Sequence, residues 1–166
     1  MSDEVTRFEN IIARQLVLVD ANDQPRAALA CGDDGAVSLK MGAPDGTTRL
    51  WLNMDETGAP RVALCDENGT PALAFQLSEF GRPRVHFCDA GGHARINFML
   101  SSGGLPMMEF QDENGESRFA LQIKEDGAPM LSLQDAQGRP RLMMQLTPAG
   151  LPQVIGIDEN GQPTAE

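Results

Sequence analysis

From Gln15 onward, apolar side chains alternate with polar or small ones, the period-two pattern of a strand and not the 3.6-residue period of a helix. Leu73, Phe75 and Leu77 share a face, then Val85 and Phe87 after a turn; the next stretch gives Ile96, Phe98, Leu100, Met108 and Phe110, and the one after it Phe119, Leu121, Ile123, Leu131 and Leu133. These five columns recur every 23 residues over six units, and of their 30 positions only Gly156 is not apolar. Each unit predicts two strands of about six residues. With an opening strand from Gln15 to Asp20 the chain should hold 13 strands, each with one buried face.

Polar residues mark the same period. Asp20, Asp66, Asp89, Asp112, Asp135 and Asp158 lie at multiples of 23 residues, with Ala43 in the remaining slot. Two glycine columns run through Gly46 to Gly161 and through Gly35 to Gly150, and two proline columns through Pro60 to Pro152 and through Pro25 to Pro163. Together they take 12 of 17 Gly and 9 of 11 Pro, so these residues punctuate turns and do not signal disorder. In Asp66-Glu67-Asn68-Gly69, the Asp can accept backbone amides, Asn tolerates bent geometry, and Gly supplies a positive φ. The expected organisation is a lead-in over 1–14, one β-repeat domain over 15–161, and a tail over 162–166. Val5, Phe8, Ile11 and Ile12 have helical spacing, yet Phe8 also falls on a strand column, so both readings of that segment stand.

A two-strand unit can be a hairpin, giving an antiparallel meander, or one coil of a parallel β-roll. The roll would stack Asp66 on Asp89, Asp112, Asp135 and Asp158, and Arg95 on Arg118 and Arg141, about 4.8 Å apart. Such like-charge ladders are destabilising. The meander separates them by two strands and lets the Asp and Arg flanking each turn approach, so it is the expected fold, with the roll as the alternative. The fold class is therefore all-β: six 23-residue hairpin repeats, curled or packed on another copy. A closed barrel of 13 strands would be too wide for Leu and Phe to fill, and an open sheet needs a cover, which predicts self-association.

The 23-residue hairpin unit is similar to MORN repeats. The Asp-x-x-Gly turn followed by Arg, as in Asp135-Ala136-Gln137-Gly138-Arg139, resembles the YD repeats of Rhs-type shell proteins. The resemblance spans Asp20 to Gly161 and implies hairpin-repeat architecture alone. The Tyr of the YD motif and the Tyr and Trp pattern of MORN units are absent, so no binding residue or activity is implied.

Charge narrows the partners. Among 166 residues, 24 acidic against 13 basic side chains give a net charge of −11, a field that repels phosphate backbones and anionic headgroups. Nucleic acid and membrane are not expected partners. Nineteen of the 24 acids fall in the turns. The N-terminal residues carry no basic patch followed by an apolar run, and no stretch approaches a spanning helix, so a cytoplasmic protein or a component of a soluble assembly is expected. Cys31, Cys65 and Cys88, an odd number without CxxC spacing, read as free thiols.

Candidate chemistry is sparse. The acidic turns lack the ligand spacing of an EF-hand or an RTX nonapeptide, which leaves a weak calcium reading against solvated turns. His86, Cys88 and Cys65 share an outward face and are of the types that ligate zinc, with His93 a distant fourth; about 9.5 Å between the two Cys positions in a meander argues against a shared ion. The outward columns hold Trp51, Met99, Met107, Met130 and Met143, with Arg61 and Arg84 near Trp51, residue types suited to a contact surface. No catalytic motif occurs, and no carboxylate sits within an apolar run; Glu109, in an outward column, comes nearest. The expectation is a non-catalytic, cofactor-free structural or scaffolding repeat protein that self-associates. The alternatives are a protein- or peptide-binding module using an edge strand or the Trp51 face, and a metal-stabilised repeat domain.

Overall fold

The computed structural model describes residues 6–55 and 57–164; Val5, part of the ambiguous lead-in, lies outside them. Thirteen strands follow in order: β1 (Gln15–Val19), β2 (Pro25–Cys31), β3 (Val37–Gly42), β4 (Thr48–Met54), β5 (Pro60–Cys65), β6 (Pro71–Leu77), β7 (Pro83–Cys88), β8 (Ala94–Leu100), β9 (Pro106–Gln111), β10 (Ser117–Ile123), β11 (Pro129–Gln134), β12 (Pro140–Leu146) and β13 (Pro152–Gly156). They form a single sheet in sequence order, every neighbouring pair antiparallel, with β1 and β13 as its edges. This is the hairpin meander and excludes the parallel roll and the closed barrel.

One turn design is used throughout. In the turn from Asp112 to Glu116, the Asp112 amide donates to the Glu116 carbonyl at 2.9 Å and the Gly115 amide to the Asp112 carbonyl at 3.1 Å. Gly115 sits at φ +82°, the left-handed position of a type I turn closed by a glycine bulge. All the turns place Gly there except the first, where Asp23 occupies it at φ 58°, a conformation that Asp tolerates better than most residues. The opening Asp does what its position predicts: Asp112 Oδ1 accepts the amides of Asn114 at 2.9 Å and Glu116 at 3.1 Å. On the opposite rim Ser78, Ser101 and Thr147 hydroxyls take over part of that role.

The repeat is 23 residues, an odd number, because one hairpin of each unit carries an extra residue beyond the regular ladder. Leu18 faces Ala27 while Val19 faces Pro25, so Arg26 is left over; Arg49, Ala72, Arg95, Arg118 and Arg141 occupy the same bulge in later hairpins. The bulge arginines bind the rim together. Arg95 bonds Asp89 Oδ2 through Nε at 2.8 Å and also reaches the Asp112 carbonyl of the following turn. Arg26 donates to the Gly42 carbonyl at 3.0 Å and Arg118 to that of Gln134 at 3.1 Å. The expected approach of Asp and Arg is present, and it joins successive hairpins as well as closing each one.

The burial differs from the sequence expectation. Cross-strand register brings the apolar columns into continuous rows, such as Phe87, Ile96 and Phe110 or Val85, Phe98 and Met108, yet Phe75 remains 47% exposed, Phe98 44% and Leu121 40%. Among the described residues no large side chain is fully buried. The period-two pattern identified the apolar face, but a single layer has nothing of its own to lay against it. The most buried side chains, Ala63 and Ala74, lie instead on the opposite face beneath Trp51.

Candidate interaction surfaces

The apolar face is relieved by grooves that repeat with the unit. One of about 460 Å³ lies between Pro83 and Pro106, floored by Val85, Phe98 and Leu100. Others lie between Pro60 and Pro83 and between Pro129 and Pro152, each about 290 Å³. Successive members of one proline column bound each groove, and no charged side chain falls in the apolar columns of this face. Phe110 stacks on Phe119 at 5.0 Å between ring centroids, and Phe87 meets Phe98 edge-on at 6.1 Å.

The opposite face collects the residues singled out from the sequence. Lys40, Trp51, Ala63, Ala74, His86, Asn97 and Glu109 follow one another across seven strands in register. Beside them runs a second row: Asn53, Arg61, Gln76, Arg84, Met99 and Met107. The Trp51 indole packs on Ala63, Cys65 and Ala74. Lys40 Nζ stands 5.3 Å and the Arg61 guanidinium 5.8 Å from its ring centre, within cation–π range. Four polar atoms of this neighbourhood are shielded from solvent without a partner among the described residues: Trp51 Nε1, Asn53 Oδ1, Arg61 Nε and Arg84 Nε. Each such atom costs about 1–3 kcal/mol. Of the residues singled out from the sequence, Arg61 lies over Trp51, and Arg84 stands two strands beyond Arg61 in the second row; Met99 and Met107 pair across β8 and β9 beside Arg84, whereas Met130 and Met143 lie farther along the sheet on β11 and β12. Sequence reading missed Lys40, Asn53 and Gln76, although all three occupy outward columns and Lys40 faces Trp51 directly.

The His and Cys residues are not gathered into a site. His86 Nδ1 lies 2.6 Å from Oδ1 of the buried Asn97, and β6 stands between Cys65 on β5 and Cys88 on β7. Burial pushes both thiols up from their ordinary range. Cys31 is exposed near the β1 edge, and His93 sits on a turn 3.5 Å from Asp89. Among the described residues no group of three or more His, Cys, Asp or Glu side chains could hold one ion, and no helix is long and apolar enough to cross a membrane. No protein-family model matches the chain, and no curated protein matches it.

Proposed function

We propose that the protein is a non-catalytic structural component that self-associates by packing the apolar face of one copy on that of another. The observation that carries this reading is the apolar face itself, continuous across the sheet and half-exposed at its centre. Its size supports the reading as well. The chain exposes 11705 Å², whereas a folded monomer of its 17.9 kDa mass ordinarily exposes about 8,000 Å². The excess, about 3,700 Å² per chain by that scaling, is more than the roughly 1,000–2,500 Å² that each partner of an obligate homodimer buries, so the single sheet has ample surface to give to a second copy.

A second copy suits this face better than an unrelated partner. Ridges of Phe and Leu and grooves bounded by proline recur at one period, so the surface is complementary to itself, as a two-fold interface requires. Two such sheets stacked about 10 Å apart would interdigitate as a sandwich core. Light scattering across a concentration series should give twice the chain mass or a higher multiple. Phe98→Lys with Leu121→Lys, both exposed in the single sheet, should weaken association at least a hundredfold while the far-UV spectrum keeps its strand signature. A wild-type protein that stays monomeric at tens of micromolar would end this reading.

A further inference from the structure

On the face away from the apolar one, Arg61 and Arg84 stand in one cross-strand row with Gln76 between them. Two strand spacings separate their backbones by about 9.6 Å. Arg61 and Lys40 also flank Trp51. Within a chain of net charge −11 this is a cationic island. Arg26, Arg95, Arg118, Arg139 and Arg141 are each held by a rim aspartate, but among the described residues no carboxylate pairs with Lys40, Arg61 or Arg84.

We propose that this face is a docking site for a short acidic peptide segment of a partner protein, two of its carboxylates taken by Arg61 and Arg84 and its backbone lying across β5 to β7 beside Trp51. Same-side residues of an extended peptide stand about 6.8 Å apart, a spacing that long guanidinium side chains can meet from backbones somewhat farther apart. Two guanidinium-bearing positions set apart by Gln76 suit two carboxylates on one extended chain better than a single small anion. A long polyanion is disfavoured further by the acidic turns at both ends of the strands, about 20 Å apart for strands of six residues. The site lies on the face that apolar pairing leaves open, so it does not depend on self-association.

Trp51 is the only tryptophan, and its emission reports directly on the patch. Titration of the whole protein with capped hexaglutamate at 50 mM salt should give a saturable change in that emission, and capped hexaglutamine none. The R61Q/R84Q protein, its fold checked by circular dichroism, should bind hexaglutamate at least tenfold more weakly. The F98K/L121K protein should bind it as wild type does, so failure of the self-association reading and failure of this one are told apart. The absence of a saturable change, equal responses to both peptides, undiminished affinity in R61Q/R84Q, or equally tight binding of inorganic phosphate or oligothymidylate would overturn the proposal. A change in assembly mass on R61Q/R84Q substitution without hexaglutamate binding would overturn it too, in favour of an acidic turn of a second copy as the occupant.

Discussion

The Asp135 carboxylate concentrates the chemistry of the rim. Its Oδ1 accepts the amides of Gln137 at 2.9 Å and Arg139 at 3.1 Å, and its Oδ2 accepts Nε of Arg139 at 2.8 Å and of Arg141 at 2.9 Å. Partial dehydration in the turn raises the carboxyl's pKa, but the two amides and two guanidinium groups outweigh it and lower it to about 2. Asp20, Asp89, Asp112 and Asp158 are likewise held below the ordinary carboxylate range, Asp20, Asp89 and Asp158 chiefly by turn amides. A carboxyl whose folded pKa lies below its unfolded value contributes stability that is complete above the unfolded value and lost as pH falls through the folded one. The rim should therefore hold down to about pH 4 and fail progressively toward about pH 2. Urea midpoints should be flat from pH 7 to 5 and drop steeply below 4. Replacing Asp135 with Asn should shrink that acid-induced drop, and an unchanged drop would place the acid sensitivity elsewhere.

At the scale of the element, each strand touches only its neighbours in sequence, so a hairpin unit should be removable whole. Deleting residues 99–121 joins Phe98 to Gln122 and preserves the alternation, because it removes one period. Deleting 99–122 joins Phe98 to Ile123 and turns one apolar residue toward the wrong face, which period-two pairing does not tolerate. The first deletion should unfold cooperatively with a urea m-value lower by about a seventh, in proportion to surface lost; the second should express poorly or melt broadly. Equal stability of the two would show that register is not held by the apolar face. The same dependence explains how far the chain could be read without coordinates. Strand number, order of pairing and turn chemistry are local, carried by the alternation of residues such as Leu73 and Phe75 and by Asp112 and Gly115. The Arg column was visible at Arg95, Arg118 and Arg141, but its placement in a bulge was not, since a bulge is a relation between two strands. The need for a cover over the apolar face was legible too, but not whether the sheet curls over that face or leaves it open, because alternation tells which side repels water and not what covers it. In the patch, Trp51, Arg61 and Arg84 were legible by residue type, while Lys40, Asn53 and Gln76 acquire meaning only through register.

At the scale of the whole molecule, two acidic rims border a face that asks for apolar contact. The 19 acids in turns give both rims a negative field, and in a face-to-face pair they bring like charges side by side along both rims. Hydrophobic contact and rim repulsion thus oppose each other, and salt acts on the second by shortening the Debye length from about 10 Å at 0.1 M to about 3 Å at 1 M. Association through the apolar face should tighten severalfold over that range, measured by sedimentation equilibrium in sodium chloride. Peptide capture by Lys40, Arg61 and Arg84 should weaken over the same range, because there the attraction itself is ionic. Opposite salt slopes in one protein would assign the two faces to two different physical interactions. An association that loosens with salt would point instead to copies joined through ion pairs, an acidic turn of one against the cationic patch of the next, and would remove the apolar face from the assembly.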